Sequence, residues 1–398
     1  MDARDSKALM KIVLFVAELD VKGGTHKQVL RLSEYLVKQG HSVKIYTPTF
    51  DQANTYPEFA NLEIVSLYKN STDSRLERLL RSFTSIALAF KIKKVDVINI
   101  HDNRGLLFFF TCFILKRASS YVWQINDLDP AFRLGNSLNV KFRIDHPISR
   151  FFNRLMAKLV DRITVNVGKN ISRVRDNMGV NPDLLYCGVD FPVAIKNSNV
   201  PSINRFRVLS IGVFFTYRNY ERLVMSCANI AKKSGINVDL TIVGDTRYAP
   251  LYVENVKKIA EINKVNLIIK ENLNDQELDH EISSNHVFAF VNIDQSWGLA
   301  VFEAAARNKP IILSNSVGAA ELLSGMPGFV MVDPESIEDI SNALNQFVGD
   351  LEMCVRFGED ARKTVCKMTW DEMYSSKVEA IFVESLMINV GKNNESYP

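Results

Sequence analysis

Short apolar runs alternate with amphipathic stretches along this chain, twice over, and that alternation restricts the fold more than any other feature of the sequence. In the first half KIVLFVAEL reads as a strand. GGTHKQVLRLSEYLVKQG reads as a helix, with apolar residues at Val29, Leu32, Tyr35 and Leu36 and a stop at Gly40, and HSVKIYTP as the next strand. NLEIVSLY, the basic helix SRLERLLRSFTSIALAFKIKK, VDVINIH, LLFFFTCFILKRA, SYVWQIND, a long helix near 141–160, RITVNV and LLYCGVDF continue the series. The pattern restarts at RVLSIGVF and runs through NYERLVMSCANIAKKSG, VDLTIVGD, YVENVKKIAEIN, NLIIK, DQELDHEISS and HVFAFVN to IILSN, AAELLSG and FVMV. Alternating strands and helices predict parallel sheets covered on both faces. The segment VAIKNSNVPSINRF, 193–206, is polar and aperiodic and reads as a linker. A length of 398 residues suits two domains. The expected architecture is α/β, two doubly wound parallel-sheet domains at 1–195 and 205–369.

Five scattered cysteines without a CxxC pair fit a reducing compartment and carry no metal signature. The run at 11–17 is followed at once by Glu18 and Asp20, so it reads as a buried strand rather than a leader. LLFFFTCFIL, 106–115, is too short for a bilayer, which takes about 20 helical residues. These features predict a cytoplasmic protein without a transmembrane segment. The net charge of +3 is unevenly spread: residues 1–200 hold 29 Lys/Arg against 19 Asp/Glu, and residues 201–398 hold 19 against 26. A basic front half is either a solvated surface or a face for something anionic. No nucleic-acid-binding motif accompanies it.

In open α/β sheets ligands bind beyond the carboxyl ends of the strands, where helix N-termini suit phosphate. Three strand-to-helix turns carry residues for that. GGTHKQ at 23–28 has paired glycines, which let a backbone approach a ligand closely. IGVFFTYRNYE at 211–221 places Arg218 before a helix. DQSWGLAVFEAAARNKPII at 294–312 puts Glu303 on an otherwise apolar helix. A carboxylate there costs several kcal/mol unless it is paired or hydrogen-bonded. It either pairs with an arginine such as Arg307 one turn on or meets ligand hydroxyls. None of these turns spells GxGxxG or GxxxxGK[ST], which argues against a dehydrogenase or a P-loop enzyme.

These blocks, in this order over nearly the whole chain, resemble the retaining glycosyltransferases of the GT-B fold, family 4. GGTHKQVLRLSEYLVKQGHSVKIYT, YCGVDF, VLSIGVFFTYRNYERL, LTIVGD and NDQELDHEISSNHVFAFVNIDQSWGLAVFEAAARNKPII carry the likeness. The last block sits where the family has its E-x7-E motif. The resemblance implies two Rossmann-like domains facing across a cleft: an acceptor domain at 1–195, a donor domain at 205–369, and a terminal helix at about 370–390 packing back on the first. It implies that a hexose-type sugar passes from a UDP- or GDP-sugar to a glycan or lipid-linked acceptor in cell-surface polysaccharide assembly, by front-face displacement, without a metal or other cofactor. Carried over residue by residue, Glu303 holds the nucleotide ribose, and the backbone N–H groups of Trp297, Gly298 and Leu299 meet the donor sugar and diphosphate. Arg218 neutralises the leaving diphosphate, Gly23 and Gly24 admit the phosphates, and Asn272 and Leu273 lie by the nucleobase.

Three positions depart from the family pattern. The first acid of E-x7-E is Gln295, the usual first-domain histidine falls on Asn126, and the first basic residue after the glycine falls on Val213. Arg222, expected one turn beyond Arg218 on the same helix, is the candidate to compensate the last of these. His101, ending a neighbouring strand, either faces the cleft or is a buried structural histidine. Asp127-Leu128-Asp129 spells a DxD metal-diphosphate motif, but the surrounding order does not fit the fold that uses it. The helix at 74–94 is basic and amphipathic, with its apolar side either packed on the sheet or laid on an anionic membrane. The departures keep alive a non-catalytic sugar-nucleotide or glycan-binding protein that supports a partner transferase. An epimerase acting on a nucleotide-sugar would need an acid–base set for which His101 alone stands.

Overall fold

In this computed structural model the structure describes residues 9–20, 22–52, 54–68, 75–101, 103–126, 147–192 and 205–394. The DxD stretch, residues 141–146 of the predicted long helix and most of the predicted linker lie outside them. The described chain falls into two compact units, one within Met1–Leu134, Phe142–Gly188 and Trp370–Pro398, the other within Val189–Thr369.

The first unit holds β1 (Lys11–Val16), α1 (Gly24–Lys38), β2 (Ser42–Tyr46), β3 (Ile64–Val65), α2 (Arg75–Lys91), β4 (Val95–His101), α3 (Leu106–Ile114), β5 (Ala118–Ile125), α4 (Pro147–Leu159), β6 (Arg162–Val165), α5 (Lys169–Met178) and β7 (Asp183–Leu184). Its seven strands run in the order β3-β2-β1-β4-β5-β6-β7, every pair parallel. The central strands are buried nearly end to end, as expected of a sheet covered on both faces. On one face Leu88, Ala89, Phe108, Phe109, Met156 and Ala157 of α2, α3 and α4 pack on Phe15, Ile98 and Tyr121. The predicted strand NLEIVSLY shrinks to two residues, and LLYCGVDF contributes only Leu184 to the two-residue β7; both lie at the sheet's edges, where only one neighbour is left to pair with.

The second unit holds β8 (Arg205–Ile211), α6 (Tyr220–Ser234), β9 (Asn237–Val243), α7 (Pro250–Ile262), β10 (Asn266–Lys270), α8 (Asp275–Ser284), β11 (Val287–Phe290), α9 (Leu299–Ala305), β12 (Ile311–Ser314), α10 (Ala320–Leu323), β13 (Phe329–Val332), α11 (Ile337–Asn345) and α12 (Leu351–Val365). The strand order is β10-β9-β8-β11-β12-β13, again all parallel. Helices α5, α11 and α12 are additions to the sequence reading. The last two start at side-chain caps, Ser336 accepting from the Asp339 N–H and Asp350 from the Met353 N–H.

The chain then returns to the first unit through a π-helical turn, Asp371–Ser375, and α13 (Ser376–Asn394). The buried Glu379 accepts from His41 Nε2 (2.7 Å) and from the Tyr35 hydroxyl (3.1 Å). The Met10 N–H donates to His41 Nδ1, which leaves the imidazole proton on Nε2, facing the carboxylate. Ser385 to Ser120, Tyr374 to Gln124 and Asn389 to Asp161 complete the attachment.

Candidate functional site

Strand order reverses between β8 and β11, so the loops leaving these two strands flank the point where doubly wound sheets bind ligands. Three bonds tie the loops together. The Ile293 N–H donates to the Tyr217 carbonyl (2.7 Å), Asn219 Nδ2 to the Val291 carbonyl (3.0 Å), and Arg218 Nη1 to Gln295 Oε1 (3.0 Å). Arg218 and Gln295, 77 residues apart in sequence, are thus direct partners.

Arg218 closes a single 3₁₀ turn, Thr216–Arg218, and is 9% exposed. Its Nε donates to the Val213 carbonyl (3.2 Å), and its guanidinium lies over the Tyr217 ring (5.2 Å) and near Phe290 (5.8 Å). Gly212 makes the room: a Cβ there would come within 2.5 Å of the guanidinium carbon. Gly244 in turn lets the next loop approach, since its own Cβ would meet the Gly212 carbonyl oxygen at 2.0 Å.

A guanidinium only donates, so Gln295 must turn its carbonyl oxygen to Arg218. Asn292 Nδ2 donates to the same oxygen. The loop that carries Gln295 is held from behind. The Asp294 N–H donates to Ser316 Oγ, Ser316 Oγ to the Asn292 carbonyl, and the N–H groups of Gly318 and Ala319 to the carbonyls of Gln295 and Trp297. Asn292 and Asn219 are not singled out by the sequence and show only through their partners, whereas Gly212, the landmark glycine before Val213, gains its role from the guanidinium it makes room for.

Trp297 is buried and stacks on Phe302 (4.9 Å between ring centres, 11° between planes). Gly298 takes φ 102° at the start of α9, where a Cβ would meet Phe290 at 2.9 Å. Position 298 therefore admits only glycine on both conformational and steric grounds. Leu299 opens α9, which has no side-chain cap, and the Val301 N–H turns back to the Gly298 carbonyl (3.0 Å). Glu303 is half-buried on the same helix. Arg307 donates Nη1 to the Glu303 main-chain carbonyl (3.0 Å) and Nε to Asp279 (2.6 Å).

Arg222 stands in the first turn of α6, a separate element from the turn of Arg218, and donates to Asn219 Oδ1 (2.8 Å). It helps fix the left-handed Asn219 (φ 61°) that redirects the chain into the helix. Asn272, also left-handed (φ 56°), and Leu273 lie in the exposed turn between β10 and α8, the latter half-buried.

The first unit gathers its candidates in the same way, around the reversal between β1 and β4. Gly23 caps α1 in extended backbone and Gly24 begins the helix, so neither position needs glycine for its conformation. Asn126, just past β5, donates to Thr25 Oγ1 and accepts from Gln124 Nε2, both at 3.3 Å. Gln124 also accepts from Thr164 and Tyr374. His101 ends β4 fully buried, and neither ring nitrogen has a hydrogen-bond partner among the described residues. Burial pulls its pKa down to about 3, so the ring is neutral. Of the two readings of His101, this geometry is that of the buried histidine.

Among the described residues no group of three His, Cys, Asp or Glu side chains is placed to hold a metal, and no helix is long and apolar enough to cross a membrane. The chain matches the family model "Glycosyl transferases group 1" over residues 194–364 and "Glycosyltransferase Family 4" over residues 22–191. It is 20% identical over 361 residues to an uncharacterized glycosyltransferase of Haemophilus influenzae, covering 89% of this chain and 95% of the relative. Its fold is that of Anabaena Alr3699/HepE, solved in complex with UDP and glucose (TM-score 0.71, 15% identity, 95% and 99% of the two chains). It is likewise that of WaaG, a glycosyltransferase involved in lipopolysaccharide biosynthesis (TM-score 0.71, 15% identity, 93% and 99%).

Proposed function

The chain belongs to the GT-B glycosyltransferases of family 4, matched along both of its units, and from that premise we propose that it moves a hexose-type sugar from a nucleotide-sugar, with retention, to a hydroxyl of a glycan or lipid-linked acceptor. The supporting observation is the pairing of Arg218 with Gln295 at the strand-order reversal of the second unit. A buried cation between two loops locked to each other forms a preorganised place for a diphosphate. UDP is the favoured nucleotide, because the HepE structure was solved with UDP and glucose, and GDP remains the comparison donor. Glu303 takes the ribose hydroxyls, Trp297, Gly298 and Leu299 the sugar and diphosphate, and Asn272 and Leu273 the base edge. The unit carrying Gly23 and Gly24 takes the acceptor. A bacterial cell-surface polysaccharide setting, with peripheral contact at the inner face of the membrane, accords with WaaG's part in lipopolysaccharide biosynthesis.

In the proposed step the bond from the anomeric carbon to the diphosphate oxygen breaks while the acceptor oxygen bonds on the same face. The acceptor proton passes to the departing diphosphate. Arg218 meets the charge that accumulates there, the work a divalent metal does in other sugar transfers. The Gln295 and Val213 departures offset one another: relative to the family pattern one negative and one positive charge are gone, and the local sum is unchanged. We expect turnover of the preferred donor in EDTA to equal that with added magnesium. A rate that collapses in EDTA and returns with magnesium would overturn the metal-free step.

A further inference from the structure

Three neighbouring helices of the first unit turn aromatic and aliphatic side chains to solvent. On α2 these are Phe83 and Phe90, 67% and 59% exposed, seven residues apart and so on one face. On α3 they are Leu107 and Ile114, with the same spacing, Ile114 being 75% exposed. On α4 they are Phe151 and Phe152. The helices lie side by side, α2 against α3 and α3 against α4, and the ring of Phe152 meets that of Phe110 on α3 at 5.7 Å. Their opposite sides already fill the core over the sheet, so this apolar face is a second one, which packing among the described residues does not explain. Exposed apolar area gathered in one place marks an interaction surface.

The charges around it choose the partner. Lys91, Lys93, Lys94, Lys116, Arg154 and Lys158 are all exposed, and residues 83–94, 106–117 and 150–160 contain no Asp or Glu. Aromatic side chains flanked by lysine and arginine alone, on short helices lying flat on a sheet, complement a surface that is apolar beneath and anionic at its rim. We infer that the outer face of α2, α3 and α4 docks on an anionic lipid bilayer, with Phe83, Phe90, Ile114 and Phe151 entering the headgroup boundary. The inference deepens the peripheral contact proposed above and rests on that reading for its purpose, not for its geometry.

The test is co-sedimentation of the full chain with vesicles of phosphatidylcholine alone and of phosphatidylcholine with about a third phosphatidylglycerol. Binding to the anionic vesicles only, weakening as salt rises, is the expected result. The triple variant F90S/I114S/F151S and, separately, K91E/K94E should each bind on the order of tenfold or more weakly. Both should keep wild-type circular dichroism and thermal midpoint, since only exposed atoms change. No binding to anionic vesicles at low salt, or equal binding by wild type and variants, overturns the inference. So does a wild-type chain that self-associates and is made monomeric by the triple variant, which would assign the face to protein contacts. Nucleotide-sugar binding measured without vesicles stays at wild-type level in both variants, and its failure in wild type would instead strike the transferase reading.

Discussion

Arg218 holds a charge where burial makes charge expensive, and its surroundings show what repays it: a carbonyl, an amide oxygen and two aromatic rings. Removing it by Arg218→Ala should lower kcat/KM for the donor by about 10²–10³, roughly 3–4 kcal/mol, as for other preorganised electrostatic groups. Gln295 then has a definite part. Its oxygen orients the guanidinium and adds no charge, so Gln295→Glu would set a carboxylate 3.0 Å from Arg218 and reduce the local positive charge by one. That variant should weaken donor binding by about tenfold, the size of one charge-assisted hydrogen bond. Adding Val213→Arg should recover most of the loss, because it restores the missing base. The measurement is a double-mutant cycle on donor affinity. A Gln295→Glu enzyme that binds donor better than wild type, or a double variant that binds no better than Gln295→Glu alone, would contradict the offset between the two positions.

Elements carry the second set of consequences. The C-terminus of α8 is closed from outside by Lys309, whose ammonium donates to the carbonyls of Ser283 (2.9 Å) and Asn285 (2.7 Å). Burial lowers its pKa from 10.5 to about 8. The unfolded chain therefore binds this proton more tightly than the folded one. The stability of the wild type relative to Lys309→Met should rise as pH goes from about 8 to 10.5, by on the order of 2–3 kcal/mol in all. Below pH 8 the difference should be flat. Cys354, whose thiol burial pushes up to about 12, stays neutral across that window. Thermal midpoints of the two proteins taken across that range check it, and parallel curves would contradict it. Elements also show where sequence stops being informative. Strands such as β1, β4, β8 and β9 announce themselves, because a strand buried on both faces must be apolar throughout. Edge strands β3 and β7 do not, since half their pairing is missing and their apolar runs overstate them. Helix α5 escaped because NISRVRDNM is polar on most sides, with only Asn170, Val174 and Met178 buried.

At the scale of the whole chain, two parallel sheets with the same kind of strand-order reversal place the candidate residues on the loops that flank it. That much follows from the order of apolar runs, and the family likeness follows from the same blocks. What the sequence could not show is which side chains meet. Arg218 and Gln295 bond across 77 residues, Arg222 turns to Asn219 rather than standing beside Arg218 on one helix, and His101 retreats from solvent altogether. The basic front half likewise resolves only when α2, α3 and α4 lie side by side, because the sequence offered just α2 as an amphipathic helix.

The claim at the centre is that the second unit binds a nucleotide-sugar through Arg218 and releases its nucleotide on transfer. The most direct measurement titrates a panel of UDP- and GDP-sugars into the purified protein in EDTA, following tryptophan fluorescence, with Trp297 beside the site, together with free nucleotide. We predict saturable binding of one donor, slow nucleotide release that membrane extract accelerates, and loss of both in Arg218→Ala. Binding without release, even with the extract, would make the chain a sugar-nucleotide-binding partner of another transferase. A folded protein that binds none of the panel would contradict the account.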